Sequence, residues 1–176
     1  IMGLAGIDSL SGQAGDDVLD GGTGADVMTG GDGEDTYLVY DIGDLVIEAI
    51  GEGTDTVLSG ITYSLTSNVE NLILSGTATI DGTGNELDNV LTGNTGANVL
   101  TGGSGNDSYV IGAGDVVVEA AGEGTDTVVT AQDYVLGDAI ENLSLTGNHS
   151  VNGVGNELDN RLVGNTATNV LQGGLG

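Results

Sequence analysis

The sequence predicts an all-β solenoid, and three observations carry that expectation. Four glycine-rich turns follow one another between Gly3 and Asp35: GLAGID, GQAGDD, GGTGAD and GGDGED. Their closing carboxylates, Asp8, Asp17, Asp26 and Asp35, step by nine, and so do the large apolar side chains behind them, Leu10, Leu19, Met28 and Tyr37. Glycine fills 34 of the 176 positions, while proline, cysteine, tryptophan and phenylalanine are absent. A fixed period with set glycines, one acid and one buried side chain describes a coil whose repeats stack on their neighbours. With five tyrosines as the only aromatics, no large aromatic core can be assembled.

The chain divides into five segments. Residues 1–40 form the turn-rich block just described. Residues 41–84 loosen into short segments rich in β-branched residues, DLVIE, TDTVL, ITYSL and ENLIL, with glycine, asparagine or serine between most of them. The nonapeptide frame returns over 85–111, where NVLTGNTGANVLTGGSGNDSY keeps the apolar residues Leu91, Leu100 and Tyr109. Residues 112–155 repeat the strand-rich connector, and 156–176 begin a third block carrying Leu162 and Leu171. GEGTDTV starts at Gly51 and Gly122, and NELDN at Asn85 and Asn156, an offset of 71 in both cases and close to eight nonapeptides. A continuous coil would hold its register through the connectors. The chain starts and stops inside repeats, so it is expected to be part of a longer array.

Charge narrows the function. Twenty-seven acids face one arginine and no lysine, a formal net charge of −26. Nucleic acid and anionic membrane surfaces, which need clustered cations, are disfavoured as partners. No apolar run approaches the roughly 18 residues of a membrane span. Two nonapeptides per coil would place alternate turns on one edge, so that Asp8 faces Asp26 and Asp17 faces Asp35. Strands of successive coils lie about 4.8 Å apart. At an effective dielectric of 20 to 80 the repulsion is about 1 to 3.5 kcal/mol per adjacent pair. Something must neutralise it. Glycines at the first, second and fourth turn positions permit backbone angles that aim carbonyls at a common point. Carboxylates with carbonyls make a hard, flexible, all-oxygen site suited to calcium rather than zinc or magnesium.

At these residues the sequence resembles the RTX family of calcium-binding repeats, whose pattern is GGxGxD followed by one large apolar residue. The resemblance implies a right-handed parallel β-roll with calcium between successive turns on each edge. It also implies type I secretion from a bacterium, with folding as calcium is met outside the cell. Carried onto this chain, it makes Asp8, Asp17, Asp26 and Asp35 side-chain ligands. It adds carbonyls of Gly3, Ala5, Gly12 and Ala14 from the earlier turns and of Gly22, Gly24, Gly31 and Gly33 from the later ones. Asp44 lies two nonapeptides beyond Asp26 and Asp55 slightly more than two beyond Asp35, so each edge is expected to hold one more ion. Asp115 and Asp126 are their equivalents around Asp107. Asn89, Asn98, Asn160 and Asn169 occupy the acid position, where an amide can bridge coils by hydrogen bonds and calcium should be weak or absent.

Other chemistries find little support. His149 is the only histidine, in the turn-like GNHS, and no Ser, His and Asp triad forms around it. Arg161 takes the slot of Val90, beside the buried position, and is expected to face solvent. GEGTDT lacks the helix and the lysine of a nucleotide loop. The acids placed for a glycosidase pair are already explained as calcium ligands. The expected role is therefore a non-enzymatic, calcium-triggered structural or spacer module, with calcium ions and neighbouring repeats of a larger protein as partners. Two alternatives stand beside it. One is a binding module for a glycan, ice or an S-layer surface, although the outward residues Ser11, Asp20 and Thr29 form no unbroken threonine ladder. The other is an accessory domain of a secreted protease, lipase or alginate epimerase.

Overall fold

The computed structural model describes residues 1–176 and contains nineteen strands and no helix. The first coils comprise β1 (Ser9–Ala14), β2 (Val18–Asp20), β3 (Val27–Asp32), β4 (Thr36–Val39) and β5 (Leu45–Ile47). Next come β6 (Thr56–Ser59), β7 (Tyr63–Ser64), β8 (Asn71–Leu74), β9 (Gly82–Thr83), β10 (Val90–Thr92), β11 (Val99–Thr101), β12 (Ser108–Ile111) and β13 (Val116–Val118). The last are β14 (Thr127–Thr130), β15 (Tyr134–Val135), β16 (Asn142–Leu145), β17 (Gly153–Val154), β18 (Arg161–Val163) and β19 (Leu171–Gln172).

All strand pairing is parallel and skips one strand, so each coil contributes one strand to each of two faces. The even-numbered strands form one unbroken nine-stranded sheet from β2 to β18. The odd-numbered face is cut into three sheets: β1-β3-β5, β7-β9-β11-β13 and β15-β17-β19. Register follows the apolar series. Leu10 pairs with Met28 and Met28 with Val46 on one face, while Leu19 pairs with Tyr37 and Tyr37 with Val57 on the other.

Two-residue alternation explains the core. In β4 the side chains of Tyr37 and Val39 point in, whereas Thr36 and Leu38 are half-exposed. Leu19, Met28, Tyr37, Leu91, Leu100 and Tyr109 are fully enclosed, and Leu10 nearly so. Leu162 is only partly buried against the cluster, and Leu171 is 40% exposed. The expected inward position is kept at Leu171, on β19, the last strand of its sheet within residues 1–176. Arg161 is exposed in the slot corresponding to Val90, as its sequence position suggests.

The two cuts in the odd face follow β5 and β13. Coil length changes there. Facing edge residues are separated by 18 positions from Asp17 to Asp35, by 20 from Asp35 to Asp55, and by only 15 from Asp55 to Glu70. The even sheet runs on through the short coil, while the odd-face strand of that coil, β7, pairs forward with β9 and not back with β5.

Candidate metal centre

The turn acids form ladders along the coil edges. On one edge the backbone N–H of Asp8 donates to Oδ1 of Asp26 at 2.8 Å, and that of Asp26 to Oδ1 of Asp44 at 3.2 Å. On the other, Asp17 donates to Asp35 Oδ1 at 2.7 Å and Asp35 to Asp55 Oδ1 at 2.9 Å. That edge goes on to a residue sequence reasoning missed, with Asp55 donating to Glu70 Oε2 at 2.8 Å. The pattern recurs from Asn89 to Asp107, Asp107 to Asp126 and Asp126 to Glu141, at 2.7, 2.8 and 2.8 Å. Asn98 donates likewise to Asp115 Oδ1 at 2.9 Å. The facing pairs expected from two nonapeptides per coil are therefore present. Glu70 and Glu141 enter at the short coils, where the longer side chain restores the reach that the shortening removes.

On Asp26, Asp35, Asp107 and Asp126 the ladder bond uses one carboxylate oxygen and leaves the other. Oδ2 of Asp8, Asp26, Asp35, Asp107 and Asp126 is buried without any hydrogen-bond partner. Asp26, Asp35, Asp55, Asp107 and Asp126 are each at most 1% exposed. A buried, unpartnered anionic oxygen is costly unless a cation or a proton meets it. The only arginine, Arg161, is exposed in β18, and there is no lysine. Burial raises the Asp35 carboxyl above its ordinary value, although the Asp17 N–H pulls the other way. Burial likewise pushes Asp55 and Asp107 up to about 6. These directions describe carboxylates that lack a counter-charge.

Asp44 and Asp115 are placed differently. Asp44 Oδ2 accepts from the N–H groups of Tyr40 and Asp41 at 3.1 Å, and Asp115 Oδ2 from Gly112 at 2.7 Å. With Oδ1 already on the ladder, both oxygens close the turn on backbone donors, and neither residue holds an orphaned atom.

The glycines open the turns. Gly22, Gly24, Gly31 and Gly33 all have positive φ, and a Cβ at Gly22 or Gly24 would overlap a carbonyl of the preceding coil, that of Leu4 or of Gly6. No turn hydrogen bond ends on the carbonyls of Gly3, Ala5, Gly22, Gly24 or Gly33, which leaves them free to ligate an ion. Gly12 and Ala14 lie within β1 and Gly31 within β3, where the ladder continues around the bend.

The asparagine turns are built as expected. Asn89 Nδ2 donates to the carbonyls of Val69 and Glu70 in the coil before it, and Asn98 Nδ2 to Ile80 at 2.6 Å. Asn160 and Asn169 repeat this on Ile140, Glu141 and Val151. A second series went unnoticed in the sequence. Asn85 Nδ2 donates to the carbonyls of Thr66 and Val69, both at 2.8 Å, and Asn94 to those of Ser75 and Ala78, both at 3.0 Å. Asn156 and Asn165 do the same one unit later. Here amides occupy the carbonyls of the neighbouring turn. The signal was the recurrence of asparagine four places before each acid-position asparagine.

Fold and site together define a parallel β-solenoid with acidic, cation-binding turns. The family model of the RTX calcium-binding nonapeptide repeat (4 copies) matches residues 2–37, 83–118 and 154–176, more than half of the chain. This chain belongs to that family, and its turn chemistry is that of calcium-binding repeats. Comparison with curated proteins and with solved structures returns no match.

Proposed function

We propose that the chain is a calcium-triggered folding module acting as a structural spacer in a larger extracellular protein, with no catalysis of its own. One observation carries this reading: a buried ladder of carboxylates whose second oxygens have no partner, in a chain with one arginine and no lysine. Asp8, Asp17, Asp26 and Asp35 are the principal side-chain ligands. The carbonyls of Gly3, Ala5, Gly22, Gly24 and Gly33 complete the shell, with Gly12, Ala14 and Gly31 at its margins. Asp55, Asp107 and Asp126 extend the sites along the second edge. Asp44 and Asp115 contribute mainly as turn closures.

The mechanism is linkage. Calcium binds the coil and not the extended chain, so each site stabilises folding by RT ln(1 + [calcium]/Kd), about 2.7 kcal/mol at a hundredfold excess over Kd. In a cytosol poor in calcium the carboxylates repel and the chain stays open. RTX repeats are typical of secreted bacterial proteins, and release into a calcium-rich medium would supply the trigger. Circular dichroism in chelator and in millimolar calcium tests the reading: a disordered spectrum should convert to a β spectrum. The same β spectrum in both would refute it. A glycan array probed with the calcium-loaded chain separates spacing from ligand binding, and a bound glycan would move the assignment to the binding-module alternative.

A further inference from the structure

We propose that Glu48 and Glu119 are ligands of a second kind of calcium site, set inside the coil and outside the nonapeptide pattern. The proposal rests on the calcium reading of the turns and extends it to residues that the pattern does not contain. The family match ends at Tyr37 and resumes at residue 83, and its second segment stops at Val118.

Alternation along β5 sends Leu45 and Ile47 outward and Val46 inward, and the next residue, Glu48, also points inward. An acid thus stands where the coil otherwise buries an apolar residue. Glu48 is 7% exposed. Its Oε1 accepts the hydroxyl of the enclosed Tyr37, and its Oε2 has no partner. The carboxylates of Asp35, Glu48 and Asp55 offer oxygens that all lie within 4.8 Å of one another. Asp35 Oδ2, in a side chain 1% exposed, is orphaned as well. Gly30 leaves the space open, since a Cβ there would overlap both Asp35 Oδ2 and the Tyr37 hydroxyl.

The whole constellation occurs twice. Gly102, Asp107, Tyr109, Glu119 and Asp126 repeat it: oxygens of the three carboxylates again lie within 4.8 Å of one another, Glu119 is partly buried, and Oδ2 of Asp107 and Asp126 and Oε2 of Glu119 are unpartnered. Three carboxylates whose only donors are two ladder N–H groups and one hydroxyl, with buried oxygens left over and no basic neighbour, need a cation. The available atoms are all oxygen, which selects a hard ion, and calcium tolerates such an irregular shell better than magnesium. The tyrosine does not bind the ion. It holds Oε1 and so fixes Oε2 as the ligating atom. Both sites lie where the odd face is cut, after β5 and after β13. An ion there joins each connector to the nonapeptide block before it, in place of the missing strand pairs.

The test uses the full chain and calcium itself as the probe, counting bound ions by equilibrium dialysis and following folding by circular dichroism. Glu48→Gln keeps the shape, the neutral charge of a protonated acid and the acceptor for Tyr37. It should lose one bound ion, and the double variant with Glu119→Gln two, while the β spectrum at saturating calcium persists. If the wild type neither binds calcium nor changes its spectrum, the calcium reading itself falls. If the wild type does both and the double variant keeps the same ion count and affinity, this proposal alone falls. Should the variants fail to fold, anomalous diffraction from calcium-loaded wild-type crystals decides. A peak about 2.3 to 2.6 Å from Glu48 Oε2 is expected, and peaks confined to the pairs Asp8–Asp26 and Asp17–Asp35 would overturn it.

Discussion

The backbone N–H of Asp17 donates to Oδ1 of Asp35 at 2.7 Å, one coil further on. One carboxylate thus ties two coils together and turns its other oxygen, unpartnered, to the interior, so the proposed calcium ligand is also a coil-bridging acceptor. Substitution can separate them. Asp35→Ala removes the acceptor and the charge, leaving the Asp17 N–H unpaired at a cost of about 1 to 3 kcal/mol. Asp35→Asn keeps an acceptor oxygen. Both should weaken calcium binding, and thermal denaturation at saturating calcium should show the alanine variant as the less stable of the two.

The amide-clamped turns should respond in the opposite way. Asn85→Ala deletes two hydrogen bonds of 2.8 Å to the carbonyls of Thr66 and Val69. Its loss, about 1 to 3 kcal/mol, should be the same at a calcium concentration just sufficient to fold the chain and at saturating calcium, because no ion replaces the amide. Denaturant titration at the two concentrations checks this, and rescue by calcium would contradict it.

Stepwise chelation should open the solenoid from the acidic block. The amides of Asp8, Asp17 and Asp35, which donate to carboxylates, should lose hydrogen-exchange protection first. The amides of Asn85 and Asn94, which donate to Asn89 Oδ1 and Asn98 Oδ1 at 2.7 and 2.8 Å, should lose it later. Uniform loss along the chain would argue against a calcium dependence concentrated at that block.

Calcium affinity should rise with pH. Burial, reinforced by the nearby Asp55 charge, pushes the Glu48 carboxyl from 4.5 to about 8 in the ion-free coil, and Glu119 beside Asp126 behaves alike. The folded coil then holds protons that the unfolded chain has released. Its ion-free stability is greatest below 4.5 and declines as pH rises to about 8, beyond which the loss is complete. A bound ion removes that penalty by displacing the proton. Calcium titrations across this window should therefore show tighter binding at the alkaline end, and a constant apparent affinity would count against these carboxylates as a source of the linkage.

Two glycines offer a steric comparison. Gly33 has φ +143° and a Cβ there would lie 2.5 Å from the Gly15 carbonyl oxygen. Gly15 has φ +102° but open space around it. Gly15→Ala should cost about 1 to 2 kcal/mol of backbone strain. Gly33→Ala should cost clearly more, because the strain is joined by a clash with the neighbouring coil. Melting temperatures of the two variants at equal calcium make the comparison.

Much of this was legible in the sequence. The nine-residue step placed Leu10, Leu19, Met28, Tyr37, Leu91, Leu100 and Tyr109 in the core, and every one is buried. It paired Asp8 with Asp26 and Asp17 with Asp35, and it assigned the asparagines to coil bridging. Glu48, Glu70, Glu119 and Glu141 escaped because they lie in coils whose lengths depart from two nonapeptides, where counting by nines loses the edge. Their recurrence at the same offset as GEGTDTV, in step with Asp55 and Asp126, was the available signal.

By itself, the sequence determined the coil, its period, its inward residues and its need for cations, because each depends on spacing within one or two turns. Only the tertiary structure decided which carboxylate meets which across the connectors. There the separation of facing residues lengthens to 20 and then shortens to 15, and the odd face breaks. An inward glutamate meets Asp35 and Asp55 through the stacking of two coils rather than through proximity in the chain.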